Sequence, residues 1–125
     1  MNIPITPAEH GRQAEAAVAR HLLANGYEIL CQNYRVHRIG ELDLIARRAG
    51  QIYIIEVKAR SGSAEFGGLP CTITRNKLNR MRRTAWCYLK ENALMNCDVS
   101  FLAAFVQIDS AGKIGELTIS PIEWL

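Results

Sequence analysis

The chain has 125 residues, 49% hydrophobic and 22% charged, which suits one globular domain with a single core spanning 1–125 and makes a second domain unexpected. Its net charge of +3 is only mildly basic, so nucleic-acid binding does not follow from charge alone. Residues 1–17 hold no long apolar segment, and the later run Phe101–Val106 is far too short for a bilayer, so secretion and membrane insertion are disfavoured and a cytoplasmic chain is expected.

Thr6-Pro7-Ala8-Glu9 fits a capping box with proline at the first helical position, and Asn25-Gly26 fits a helix stop. The two signals predict a helix from about Pro7 to Ala24. Its apolar stripe holds Val18, Ala19 and Leu22, and Gly11 and Glu15 fall on the same side. Glu15 is thus a carboxylate on a buried stripe, one turn beyond a glycine that allows close approach. A Glu at the stripe's margin reaching water is the plainer reading of that residue alone.

Tyr27 to Arg35 reads as a strand around Ile29 and Leu30, followed by a basic cluster of Arg35, His37 and Arg38. Glu41–Arg48 and Gln51–Arg60 read as two strands joined by a tight turn at Ala49-Gly50. In the second of these, Ile52-Tyr53-Ile54-Ile55 is apolar on both faces, the pattern of a strand inside a covered sheet. Glu56 and Lys58 then share the face of Ile52 and Ile54, where the strand should still be buried. A two-residue loop pairs Arg48 with Gln51 and carries Asp43 opposite Glu56 and Glu41 opposite Lys58. Carboxylates so placed have Cβ atoms roughly 4.5 to 5.5 Å apart and repel, so something positive should sit between them. Lys58 and a divalent metal are both candidates.

Ser61 to Leu69, "SGSAEFGGL", is a loop long enough to lie over a site. Thr74 fits the N-cap of a second helix, Arg75 to about Asn92, with Leu78, Met81, Ala85, Tyr88 and Leu89 as its core stripe. No acidic residue lies between Phe66 and Lys90, while Arg75, Lys77, Arg80, Arg82, Arg83 and Lys90 all do. Asp98–Ile108 and Ile114–Ile119 read as strands around an Asp109–Gly112 turn. The four cysteines, Cys31, Cys71, Cys87 and Cys97, show no CxxC spacing and are expected as buried reduced thiols. This element order implies an α/β chain with one mixed sheet and helices packed on it.

Asp43, Glu56 and Lys58 form a coherent chemical set. Mg²⁺ takes one or two carboxylates and leaves its other positions to water and substrate phosphate. Asp43 and Glu56 supply these carboxylates, and the Val57 carbonyl is a further oxygen. Lys58 would orient water or stabilise charge on a phosphate, and Glu15 could hold a metal-bound water or a second metal. Arg35, Arg38, Arg75, Lys77, Arg82 and Arg83 would contact the backbone of a nucleic acid. On the residues alone, the charged end of an ordinary strand stands beside this reading.

"GELDLIARRAGQIYIIEVKARS" resembles the signature of the PD-(D/E)XK nuclease superfamily, and more closely that of the bacterial YraN-like family of proposed endonucleases, related to archaeal Holliday-junction resolvases. Gly11–Glu15, Gly26-Tyr27, Asn33–Arg35, Phe66-Gly67, Thr74–Lys77 and Cys97–Val99 extend the similarity from about His10 to Val106. Two departures stand out: Leu42 replaces the superfamily's proline, and Glu41 belongs to the closer family's pattern alone. The resemblance implies a restriction-endonuclease-like αβββαβ core, with Asp43, Glu56 and Lys58 as a catalytic trio and Glu15 as the helix carboxylate.

The expected function is an Mg²⁺- or Mn²⁺-dependent endonuclease hydrolysing phosphodiester bonds in structured or branched DNA. A homodimer would suit two symmetric cuts, although no stretch reads as a dimer seam. One rival is a non-catalytic nucleic-acid-binding module of nuclease ancestry. The other is a protein-interaction domain that uses the basic second helix, with Trp86 as anchor.

Overall fold

The computed structural model describes residues 6–61 and 73–122. Its elements run α1 (Pro7–Ala24), β1 (Glu28–Val36), β2 (Gly40–Arg48), β3 (Gln51–Ser61), α2 (Arg75–Glu91), β4 (Val99–Ile108) and β5 (Ile114–Pro121). The expected α/β class and helix positions are met. The five strands form one mixed sheet in chain order, with β3 and β4 parallel and the other neighbours antiparallel. Most of the proposed lid, Ser61–Leu69, lies outside the described residues, as do Phe66-Gly67 and Cys71. Cys31, Cys87 and Cys97 are free thiols, half-buried where burial was expected.

Local chemistry sets the helix ends. Thr6 Oγ1 accepts from the Glu9 N–H at 3.2 Å, and the Thr6 N–H donates back to Glu9. At the other end Gly26 turns left-handed at φ 86°, letting the Tyr27 N–H reach the Leu22 carbonyl at 3.0 Å. Thr74 caps α2 by accepting from the Lys77 N–H at 3.1 Å. The β2–β3 turn is the two-residue loop the sequence predicts, with Ala49 and Gly50 both at positive φ.

Each helix covers one face of the sheet. Under α1, Ala14, Val18, Ala19 and Leu22 pack on Leu44, Ala46, Ile55, Ala104 and Val106. Under α2, Met81, Ala85, Tyr88 and Leu89 pack on Leu42, Ile45, Ile52 and Ile54. Burial on both faces of β3 explains its apolar run. Among the described residues no helix is long and apolar enough to cross a membrane.

The expectation of close approach at Gly11 is corrected. A Cβ added at Gly11 meets nothing within 4 Å among the described residues, so this glycine does not admit a neighbour to α1. Gly40 does: a Cβ there would lie 2.6 Å from Thr84 Oγ1. Thr84 is fully buried on α2, its hydroxyl donating to the Arg80 carbonyl at 2.7 Å, so it has little room to yield. Gly40 therefore sets how near α2 lies to the start of β2. Gly40→Ala is expected to cost about 1–3 kcal/mol in denaturant unfolding. In the double variant with Thr84→Ala the two losses should add to less than their sum.

Candidate active site

The β2–β3 ladder starts with Arg48 opposite Gln51 and ends with Leu44 opposite Ile55. Beyond that pair β2 stays with β1 as far as Gly40, and β3 stays with β4 as far as Ser61, so a gap opens between the two central strands. Alternation along a two-residue hairpin makes Val57 the next residue of β3 to donate toward β2. Its N–H finds the carboxylate of Asp43, at 2.8 Å from Oδ2, in place of a backbone carbonyl. The same alternation turns the Val57 carbonyl toward the gap.

Asp43 reaches this position because β2 changes face there. Leu44 packs under α1 while Leu42, two residues away, packs under α2, a break in the two-residue alternation of a strand. On β1 the residue opposite Asp43 is Asn33, at φ 54°. Asparagine tolerates this left-handed conformation better than most side chains. The local twist leaves Asp43 between the two faces.

Glu56 comes from the α2 face and is 7% exposed. The expected cross-strand pair of Asp43 and Glu56 is not part of the ladder, which ends at Leu44 and Ile55, but their carboxyl groups are near enough to act strongly on one another. Burial above all, then the hydrogen bond and charge of Glu56, push Asp43 up to about 8, against the opposing pull of the Val57 N–H. Burial also acts to raise Glu56, but its bond with Asp43 and the charges of Lys77 and Lys58 outweigh it and hold Glu56 below its ordinary value. The pair thus holds a proton more tightly than a free aspartate does.

The positive charge beside these acids is Lys77, which the sequence reading placed on the nucleic-acid surface. Its Nζ lies 2.5 Å from Glu56 Oε2. Oε2 is inaccessible to water, so this charged contact is what offsets its burial. Burial lowers the Lys77 pKa, but contact with Glu56 more than offsets this and raises it. Lys58 follows Glu56 on the same strand face, and burial together with repulsion from Lys77 lowers its pKa. Glu41 was expected opposite Lys58; the strands have parted by then, and Glu41 pairs with Arg35 on β1 at 3.2 Å.

Glu15 stands at the margin of the α1 stripe. Burial raises its pKa, a hydrogen bond with Asn33 opposes this, and the charges of Glu41 and Glu56 add to the rise. Acids from both faces of the sheet therefore feel one another through the gap. A cavity of about 250 Å³ opens onto Asp43 and Glu56, walled also by Gly40, Glu41, Lys77 and Arg80. Arg80 and Asn33 are site neighbours that the sequence reading missed.

Of the remaining basic residues, Arg38 lies in the β1–β2 turn at φ 65°. Arg75 starts α2, while Arg82 and Arg83 line a separate cavity farther along it. These guanidinium groups are not gathered at the carboxyl pair.

Residues 14–109 match the Uncharacterised protein family UPF0102, and the chain belongs to that family, in keeping with the YraN-like resemblance. Similar relatives include a UPF0102 protein of Desulfosudis oleivorans, 36% identical over 99 residues and 79% of each chain. Another, from Pelotomaculum thermopropionicum, is 37% identical over 107 residues, covering 86% of this chain and 88% of its own. A third, from Acetivibrio thermocellus, is 37% identical over 102 residues, covering 82% and 78%.

The acid pair makes a prediction about stability. A carboxyl group with a higher pKa folded than unfolded binds more protons in the folded chain, so its contribution is complete below the unfolded value. That contribution is lost as pH rises. For Asp43 the window runs from its ordinary value of 3.8 to about 8. An amide at this position keeps both bonds, since its oxygen can accept from Val57 and its nitrogen can donate to Glu56. Asp43→Asn should therefore raise Tm by ~2–6 °C at pH 8 and by less at pH 5, read by thermal melts. An equal or lower Tm at pH 8 would contradict the shared proton.

Proposed function

We propose that this UPF0102 chain is a divalent-metal-dependent phosphodiester hydrolase acting on nucleic acid, with structured or branched DNA as the substrate class implied by the resemblance. The observation that carries this reading is the meeting of Asp43, Glu56 and Lys58 at the break between the two central strands. The parted ladder accounts for Asp43, which accepts from the Val57 N–H, but it does not call for a second acid beside it, and like charges there oppose folding.

The donor set fits a hard cation. Asp43, Glu56 and the Val57 carbonyl are all oxygen donors, and the buried Glu56 Oε2 already faces a cation, Lys77. Among the described residues no group of three or more His, Cys, Asp or Glu side chains is arranged around a metal. Two carboxylates match the modest protein share of an Mg²⁺ or Mn²⁺ site, leaving room for water and phosphate. When bound, such a cation supplies Lewis-acid polarisation of a phosphoryl oxygen.

The chain's own groups account for the rest. Lys58 shares the strand face of Glu56 and feels its charge, and from there its ammonium can orient an attacking water and stabilise the negative charge that develops on phosphate. Arg80 and Lys77 line the same cavity and can hold a phosphodiester against the acid pair. Hydrolysis forms a bond from the water oxygen to phosphorus and breaks the bond from phosphorus to the sugar oxygen, which leaves with a proton. Glu15, reached through Asn33, can hold a water on the far side of the pair.

One feature favours the rival reading of a binding module: Lys77 already neutralises Glu56, as a permanently tethered cation would. Two experiments separate the readings. In a Mg²⁺ and Mn²⁺ titration followed by amide NMR, saturable shifts at Asp43, Glu56 and Val57 are expected in the wild type and not in Asp43→Asn. Cleavage of branched, flapped and single-stranded substrates should fall about a hundred-fold or more in Lys58→Ala. No localised shifts with or without nucleic acid, and no cleavage, would support the binding module.

Lys77→Met offers a readout that does not depend on turnover. Without metal, this variant should be less stable than the wild type, because Glu56 keeps its burial and loses its cation. Adding Mn²⁺ at a hundred-fold excess over Kd should then raise its Tm by roughly 10 °C, more than in the wild type. An unchanged Tm would mean that Lys77 is the only cation the pair accepts.

A further inference from the structure

The outer side of α2 carries a second arrangement, away from the acid pair. Arg82, Trp86 and Lys90 follow one another at helical spacing, with Arg83 beside them. Trp86 is 49% exposed, and the Lys90 ammonium lies 4.9 Å from its ring centre. The indole forms part of a cavity of about 350 Å³, together with Ile39, Cys87 and the two arginines. Its wall is apolar and aromatic, and the charges at its edge are all positive.

Ile39 also lines a neighbouring cavity of about 420 Å³ along the β1–β2 turn, and that one shares Gly40, Glu41 and Arg80 with the cavity over Asp43 and Glu56. The indole and the acid pair are thus served by the same helix from opposite sides, with the β1–β2 turn between their cavities.

We propose that Trp86 is a stacking platform for an unpaired nucleobase, with Arg82, Arg83 and Lys90 drawing in the flanking phosphates. The ligand class is therefore a nucleic acid with an unpaired strand. A flat aromatic face is sequence-tolerant, since every base can stack on it, and cations around it suit a polyanion. A duplex keeps its bases inside and offers the indole nothing to stack on. An acidic protein partner would satisfy the charges, but a base stacked on the indole uses the aromatic face and the cations together, and the same helix borders the site read as holding a phosphodiester.

This inference rests on the nucleic-acid part of the proposed function and not on catalysis, so it is tested without turnover. Full-length Asp43→Asn protein is mixed in EDTA with labelled single-stranded, forked and blunt duplex oligonucleotides, and affinity is read by fluorescence anisotropy. On this background Trp86→Leu should weaken single-strand and fork binding roughly ten-fold or more and leave duplex binding within about two-fold, while Trp86→Phe keeps most of the affinity. One abasic position in the strand should cost the parent protein affinity and cost Trp86→Leu nothing further. Equal affinities for Trp86→Leu and parent on every oligonucleotide, or an equal loss on duplex and single strand, would overturn the platform alone. No salt-sensitive binding by the parent would overturn both this inference and the nucleic-acid reading. Trp86-dependent binding of an acidic peptide, with no effect on any oligonucleotide, would assign the surface to a protein instead.

Discussion

The Val57 N–H must have an acceptor, and the way it finds one organises this protein. A buried amide without a partner costs about 1–3 kcal/mol, so a sheet cannot simply open between its central strands. Here the Asp43 carboxylate replaces the departing strand at 2.8 Å. The replacement lets β2 leave β3 while the backbone stays satisfied, and it also fixes a carboxylate in the middle of the molecule. One hydrogen bond therefore opens the gap and places the first functional candidate inside it.

What gathers in the gap is electrostatically adverse. Burial and the neighbouring Glu56 oppose the ionisation of Asp43, Glu15 adds a third acid from the other face, and Lys77 relieves only part of the repulsion. The rest of the fold compensates with ordinary burial: Leu44, Ile45, Ile52, Ile54 and Ile55 are fully enclosed immediately beside the acids. This contrast supports a functional reading over a structural one. A core seeking stability alone would have continued the apolar run of β3 by two more residues.

The hairpin was legible because its rules are local. Ala49-Gly50 specifies a two-residue turn, the turn specifies the register, and the register brings Asp43 to Glu56. The helices were legible from their caps and stripes. The change of face at Asp43 was not, because it depends on Asn33 taking a left-handed conformation in mid-strand, and an asparagine in a sequence does not announce its φ. Lys77 was misplaced for a different reason. It stands one turn before Met81 on the stripe that faces the sheet, the same signal of a charge on an apolar face that singled out Glu15. Among the many basic residues of that helix it was read as one more surface cation.

Gly40 and Lys77 together show why α2 has to sit where it does. A lysine side chain reaches Glu56 only if the helix backbone comes close to the sheet, and Gly40 is the point where the sheet has no side chain to hold the helix away. The same approach brings Ile39 of the β1–β2 turn beside the outer residues of α2, where it walls the cavity at Trp86. Inward on its first turn and outward on its third, one helix thus borders both cavities. Any movement of α2 relative to β2 would move the cation at the acid pair, so the packing of Thr84 on Gly40 helps to hold Lys77 where Glu56 needs it.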